Sequence, residues 1–189
     1  MSTARSVHYS YEDYVRALED SEIKLEYFDG EIYAMAGGTL AHAELGARAI
    51  GQLGQTLGSG CRIFTSDAKV QVEATGLTTF PDATVACGET RNAANDRNAL
   101  VNPTILVEVT SKGTEDYDRG EKLSQYRQIP SLRAVLLISH RSQRVTVIER
   151  TAGGWNTREV RAGEHVVLQD PKLSLSVDAL YAGVSLDPA

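Results

Sequence analysis

The sequence predicts an α/β fold in which a mixed β-sheet core is flanked by helices. The first observation is the order strand, helix, strand over residues 104–139, which implies one right-handed parallel crossover. The second is a series of short runs rich in β-branched and apolar residues, several of which alternate polar and apolar positions. Together these observations predict a mostly antiparallel meander that contains one parallel pair.

The first third of the chain carries signals for a helix, a hairpin and a second helix. Ser10 is a good N-cap for a helix to about Asp20, because acidic residues and helical spacing follow it. Asp29-Gly30 between two β-prone runs predicts a hairpin over residues 25–35. Residues 39–57 have amphipathic spacing and are followed by glycines, so we expect a long helix that covers the sheet.

The remaining chain combines strand-like runs with one helix. We expect strands near residues 62–64, 69–73, 80–86, 104–110, 134–139, 144–150 and 155–160. Thr114 can cap a helix over 115–128 that ends before Pro130. Residues 88–102 are rich in Asn and charged residues and lack apolar periodicity, which predicts an exposed loop.

Length and composition indicate one domain over residues 1–189 and no membrane span. The apolar runs are only a few residues long, and residues 1–6 do not begin a secretory signal, so we expect a cytoplasmic protein. Cys61 and Cys87 form no C-x-x-C motif and are predicted to be two free thiols.

The distribution of charge bears on nucleic-acid binding. The net charge of −6 argues against it, since proteins that bind nucleic acid by counterion release present excess Lys and Arg. The charge is uneven, however, because residues 112–150 hold eight Lys/Arg and five Asp/Glu. Any surface that binds nucleic acid is therefore expected on this segment.

A carboxylate in an apolar strand points to a metal site. Glu108 interrupts the buried-type run 104–110, and a buried carboxylate requires a cation, a metal ion or a shared proton. Asp82 opens another short strand, so the two carboxylates meet if the strands are neighbours. Such a pair suits Mg²⁺, and Lys122 on the following helix could stabilise charge on a phosphate. These groups are the minimal equipment for metal-assisted phosphodiester hydrolysis.

Two levels of resemblance support this interpretation. Pro81-Asp82 followed by Glu108-Val109-Thr110 resembles the PD-(D/E)xK nuclease signature, with threonine in place of the lysine. More narrowly, roughly residues 8–182 resemble the Uma2 (DUF820) family of restriction-endonuclease-like proteins. The segments that carry this likeness are Tyr11-Glu12-Asp13-Tyr14, residues 25–32, His42, Phe80-Pro81-Asp82, residues 106–111 and residues 122–126.

The resemblance implies a restriction-endonuclease-like fold and DNA cleavage that depends on Mg²⁺ or Mn²⁺. It implies Asp82 and Glu108 as metal ligands, Lys122 as the cation in place of the missing lysine, and Glu26 as a third carboxylate. Lys112 competes for the lysine role because it lies closer to the strand. Cutting both strands of a duplex with one site per chain further suggests a symmetric homodimer.

Each assignment has a structural alternative. Glu108 could bridge to Arg127 or Arg119 in the core, Asp82 could be a turn former, and Lys122 a solvated surface residue. Glu26 could be an exposed strand residue, and His42 a surface or capping residue at the start of a helix. The rival function is a catalytically inactive, nuclease-like binding module, which the acidic charge and the missing in-line lysine favour.

Overall fold

The computed structural model describes residues 7–35 and 37–186. Residues 1–6, which bear on the prediction about a secretory signal, lie outside this range. The helices are α1 (Tyr11–Glu19), α2 (Leu40–Thr56), α3 (Glu115–Tyr117), α4 (Leu123–Tyr126) and α5 (Val177–Tyr181), with a π-helical turn at Asp118–Lys122 between α3 and α4. No helix in the described ranges is long and apolar enough to cross a membrane.

In residues 7–35 and 37–186 the strands form two six-stranded sheets and one separate hairpin. They are β1 (Leu25–Phe28), β2 (Glu31–Ala34), β3 (Cys61–Thr65), β4 (Lys69–Gln71), β5 (Thr78–Thr79), β6 (Ala83–Cys87), β7 (Asn92–Ala93), β8 (Asp96–Leu100), β9 (Ile105–Val109), β10 (Ala134–Ile138), β11 (Arg144–Thr151), β12 (Gly154–Arg161), β13 (His165–Gln169) and β14 (Lys172–Ser176). The first sheet has the order β2-β1-β5-β4-β8-β7 and the second β12-β11-β10-β9-β6-β3, while β13 pairs with β14. The predicted mixed α/β fold is confirmed.

Local signals account for the N-terminal elements. The Ser10 side chain accepts a hydrogen bond from the backbone N–H of Asp13, whose carboxylate accepts one from the backbone N–H of Ser10, forming a capping box. In the β1–β2 hairpin, Asp29 and Gly30 have φ values of 47° and 79°. Asp-Gly tolerates these positive values, so it fixes the turn that aligns the two strands.

The second sheet is covered on both faces, and this arrangement determines the direction of Glu108. Ile105, Val107 and Val109 of β9 pack toward α2, whereas Leu106 packs toward the first sheet and α4. Because side chains alternate along a strand, Glu108 shares the face of Leu106. The predicted parallel pairing of β9 with β10 is confirmed.

The prediction of an exposed loop over residues 88–102 is wrong. This segment contains the β7–β8 hairpin, and β8 pairs in parallel with β4, which adds a second parallel pair to the fold. Asp96 ion-pairs with the buried Lys69 and accepts a hydrogen bond from the Tyr11 hydroxyl at 2.9 Å. Long-range partners stabilise a strand whose own sequence looks loop-like, so local composition could not reveal it.

The prediction that Cys61 and Cys87 are free thiols is also wrong. They lie directly opposite each other on the antiparallel pair β3–β6 and form a disulfide. Only strand pairing brings together residues 26 positions apart in the chain. Since disulfides are rare in cytosolic proteins, this bond weighs against the cytoplasmic expectation.

Replacing both cysteines by serine is expected to lower the free energy of unfolding by about 3 kcal/mol, because the bond closes a loop of 26 residues. For a chain of this size the melting temperature should then fall by roughly 6–12 °C. Dithiothreitol should produce a similar loss in the wild-type protein and none in the double variant. A wild-type melting curve that does not respond to the reductant would contradict this prediction.

Candidate active site

The four residues that the sequence analysis assigned to the site line one cavity of about 240 Å³. They come from distant parts of the chain: Glu26 from β1, Asp82 from the residue before β6, Glu108 from β9 and Lys122 from the π-helical turn. His42 and Asp118 line the same cavity. The pairing of β6 with β9 explains part of this convergence, because Ala83 and Val107, the neighbours of Asp82 and Glu108, are directly paired.

Glu108 is buried and held by two donors on one of its oxygens. The Tyr126 hydroxyl donates to Oε1 at 2.6 Å, and Lys122 Nζ lies 3.0 Å from the same atom. Burial raises the pKa of Glu108 to about 8; the Lys122 charge opposes this shift and nearby Asp82 adds to it. The ion-pair partner of Glu108 is therefore Lys122, whereas Arg119 pairs with Glu115.

Lys122 is a buried cation with three carboxylate neighbours. Its side chain is 5% exposed, and Nζ lies 3.0 Å from Glu108, 3.3 Å from Glu26 and 3.8 Å from Asp118. Burial by itself lowers the pKa of Lys122, but Glu108 and the surrounding acidic groups outweigh it and raise the pKa well above its usual value. The alternative of a solvated surface lysine is wrong for Lys122, whereas Lys112 is exposed.

The π-helical turn positions two charged side chains toward the cavity. Asp118 and Lys122 are both buried within it. Such single turns inside α-helices are frequent at functional sites because they change which side chains face inward. Asp118 accepts a hydrogen bond from the Thr114 hydroxyl at 2.7 Å, and burial raises its pKa. The sequence analysis missed Asp118 and Tyr126, although both lie four residues from Lys122 and so share its helical face.

Glu26 is buried, so the alternative of an exposed strand residue is wrong. The residue is 9% exposed and lies on β1 of the first sheet. The Thr79 hydroxyl donates to Glu26 Oε1, the same oxygen that faces Lys122. The β1–β2 hairpin of the first sheet thus adds the carboxylate of Glu26 to those of Asp82 and Glu108, which the second sheet positions.

Asp82 is fixed by a backbone donor and by His42. The backbone N–H of Val109 donates to Asp82 Oδ2 at 2.7 Å, and His42 Nε2 lies 3.4 Å from the same oxygen. Burial raises the pKa of Asp82, and the nearby His42 opposes this effect. A Cβ at Gly38 would lie only 2.7 Å from His42 Nδ1, so this glycine gives the imidazole ring its space.

Thr110 does not contribute to this cavity. Its hydroxyl lies 3.0 Å from His140 Nδ1, and the residue is fully buried. The position that holds lysine in the PD-(D/E)xK signature is therefore used for a contact elsewhere in the core.

The carboxylates fit a divalent cation by number, chemistry and available oxygens. Within the described residues, Asp82 makes its contacts through Oδ2, and Glu108 and Glu26 make theirs through Oε1, so each retains a second oxygen. No group of three or more His, Cys, Asp or Glu side chains in those residues is arranged to hold a metal ion. A pair is sufficient for Mg²⁺, which is commonly held by one or two carboxylates together with water and phosphate oxygens.

Comparisons with known proteins agree with the resemblance seen in the sequence. Residues 11–186 match the model of the Uma2 family, described as "Putative restriction endonuclease". Uncharacterized protein slr1290 of Synechocystis sp. is 35% identical over 181 residues, with 93% of each chain covered. Uncharacterized protein sll1609 of the same organism is 30% identical over 134 residues, which are 70% of this chain and 76% of that one.

A solved structure shares the fold. The crystal structure of a "putative nuclease belonging to DUF820" from Anabaena variabilis superposes with a TM-score of 0.75, covering 92% of this chain and 98% of that chain. The two sequences are 16% identical, so this likeness concerns the fold alone. Because the family model matches nearly the whole chain, the chain belongs to the Uma2 family of restriction-endonuclease-like proteins.

Proposed function

We propose that this protein is a divalent-metal-dependent endodeoxyribonuclease whose site comprises Asp82, Glu108, Glu26 and Lys122. The observation that carries the proposal is the contact of Lys122 with Glu108 at 3.0 Å and with Glu26 at 3.3 Å, in the cavity that Asp82 also lines. Two strand carboxylates and a fixed ammonium are the groups that metal-assisted phosphodiester hydrolysis requires. Membership of the Uma2 family supports the same reaction class.

In this proposal each side chain has a definite task. Asp82 and Glu108 would hold Mg²⁺ or Mn²⁺, which supplies Lewis-acid polarisation and a lowered pKa for water, and Glu26 would hold the Lys122 ammonium in place. The backbone N–H of Val109 and the Tyr126 hydroxyl orient the two carboxylates before substrate arrives. The Lys122 ammonium donates to the phosphate oxygens as negative charge develops on them. Because Lys122 is buried among acidic groups, it stays protonated and needs little reorganisation for this task.

The buried charge gives an independent reason to expect a cation. Among the residues that the structure describes, four carboxylates line this cavity (Glu26, Asp82, Glu108 and Asp118), and its basic side chains are Lys122 and His42. Burial raises the pKa of Asp82, Glu108 and Asp118, so the metal-free cavity favours protons on these groups. A divalent cation would replace such protons and relieve the repulsion.

The proposal is tested by Mn²⁺ titration calorimetry together with a cleavage assay on plasmid, single-stranded and branched DNA. Heat of Mn²⁺ binding with EDTA-sensitive cleavage is the expected result. Binding of Mn²⁺ or DNA without cleavage would favour the catalytically inactive binding module. The absence of both metal binding and cleavage would reject the nuclease. A symmetric homodimer and a cytoplasmic location stay predictions.

Metal binding is expected to release protons, and stability without metal is expected to fall as pH rises. Folded Glu108 has a pKa of about 8, above the usual 4.5, with Lys122, Asp82, Asp118 and Tyr126 facing it. Its contribution to folding is thus fully present below about 4.5 and is lost as pH rises through about 8. Urea unfolding of metal-free protein from pH 5 to 8.5 measures this effect. The free energy of unfolding of the Glu108→Gln variant should decrease less with pH than that of the wild-type protein. An identical pH dependence in the two proteins would contradict the raised pKa of Glu108.

A further inference from the structure

A second cavity adjoins the candidate active site, and nothing in the proposed reaction has yet used it. It has a volume of about 500 Å³, within the roughly 300–1,000 Å³ typical of small-molecule sites. It shares His42, Asp82, Phe80 and the segment 37–38 with the smaller cavity. The two cavities are therefore adjacent, and a chain whose phosphate lies beside Asp82 would have its neighbouring nucleotide next to the larger cavity.

The lining of this second cavity differs from that of the carboxylate cavity. Asp82 is its one acidic lining residue among those the structure describes, and Lys24 contributes an ammonium that donates to Ser66 and pairs with Asp67 at 2.9 Å. The remaining wall is largely apolar and includes Phe80, Ile50 and Ile23. An apolar wall with a few polar groups suits a nucleobase and its sugar better than a charged backbone.

Helix α2 leaves this space open at Gly46. The residue is buried and lines the second cavity, yet an ideal Cβ built on it meets no atom within 4 Å. Glycine in the middle of a helix is less stable than alanine, so the packing of the helix does not explain this residue. A larger side chain at position 46 would enter the cavity and occupy it.

The charges elsewhere on the protein disfavour extensive contact with a duplex. The net charge is −6. Most basic residues of segment 112–150, where the sequence predicted a nucleic-acid surface, are engaged within the fold. Lys122, Arg119, Arg133, Arg141 and Arg144 make ion pairs, and Arg150 donates to backbone carbonyls. Few are left to neutralise the phosphates of a double helix.

We infer that the second cavity binds one unpaired nucleotide of a DNA strand, next to the phosphate that the proposed nuclease site would cleave. The inference rests on the proposed function for the position of the phosphate. Its substrate class is single-stranded or locally unpaired DNA, because a base stacked inside a duplex cannot enter a cavity. A site of this kind cuts one strand at a time and does not require a dimer.

The test measures the binding of a fluorescently end-labelled oligonucleotide, single-stranded or annealed as a blunt duplex, by anisotropy. Ca²⁺ is present as an oxygen-preferring cation. The wild-type protein is expected to bind the single strand at least roughly tenfold more tightly than the duplex. Gly46→Leu should weaken single-strand binding by at least roughly tenfold. Gly51→Leu is the matched control, because Gly51 lies on the same helix, is exposed and has open space at its Cβ.

Equal binding by Gly46→Leu and Gly51→Leu, preference for the duplex, or no binding of the single strand would each overturn the inference. Ala47→Leu is the second variant should Gly46→Leu not fold, since Ala47 is exposed on the same wall. Mn²⁺ calorimetry separates this inference from the proposed function. Normal cleavage by Gly46→Leu would reject the nucleotide site and keep the nuclease. If Gly46→Leu loses oligonucleotide binding and the wild-type protein binds no Mn²⁺, the nucleotide site is kept and the metal-dependent nuclease is rejected.

Discussion

Lys122→Met is expected to reduce the rate of DNA cleavage at saturating Mn²⁺ by roughly a hundredfold or more, the scale on which a preorganised transition-state donor contributes. Methionine retains much of the side-chain volume and removes the ammonium that lies 3.0 Å from Glu108. Mn²⁺ binding should persist, because the carboxylates remain. The metal-free variant should melt at a lower temperature, because Lys122 also pairs with the buried Glu26 at 3.3 Å, and breaking a buried ion pair costs about 3–5 kcal/mol. Added Mn²⁺ should restore much of this loss.

Lys112→Met is the matched control for this experiment. Lys112 was the alternative candidate for the lysine role, but it is exposed and does not line the cavity. Its replacement should change activity only modestly, and mainly through salt-sensitive DNA affinity. The measurements are single-turnover cleavage rates and thermal melts of both variants. The opposite ranking would identify Lys112 as the functional lysine, and full activity in both would exclude a migrated lysine.

The parts of the fold that could be predicted from sequence are those that local chemistry determines. Ser10 and Asp13 form their capping box within four residues, and Asp29-Gly30 sets its turn without help from the rest of the chain. The β7–β8 hairpin and the division of the strands into two sheets depend on distant partners. Asp96, for example, becomes a buried strand residue because Lys69 and Tyr11 contact it. No local periodicity reports such contacts.

The candidate site shows the same division. Glu108 could be found because a carboxylate in an apolar strand demands a partner, and Asp82 because strand order predicted its proximity. Lys122 could be proposed from its position on the helix that follows the Glu108 strand, but its burial could not be predicted, since a lysine on a charged helix looks solvated. The role of Gly38 in giving His42 its space exists only in the folded chain, because it depends on how the loop meets α2.

Asp82→Asn and Glu108→Gln are each expected to abolish Mn²⁺ binding and, with it, DNA cleavage, because each removes a ligand charge at nearly constant volume. In the wild-type protein, Mn²⁺ at one hundred times its Kd should add about 2.7 kcal/mol to the free energy of unfolding. This should raise the melting temperature by roughly 5–11 °C. Both variants should lose the shift, which differential scanning fluorimetry with and without Mn²⁺ measures directly.

A structural role for Glu108 leads to a different pattern of melting temperatures. At pH 7 the buried Glu108, with a pKa of about 8, is mostly protonated in the metal-free protein, and glutamine resembles that neutral acid. Without metal, Glu108→Gln should therefore melt near the wild-type temperature. Its only defect should be that Mn²⁺ no longer raises this temperature. Asp96→Asn is the matched control, because Asp96 is equally buried but pairs with Lys69 outside the cavity. It should lose stability and keep the Mn²⁺ shift. If Glu108→Gln behaves as Asp96→Asn does, Glu108 is a core ion-pair residue and the proposed metal site is rejected.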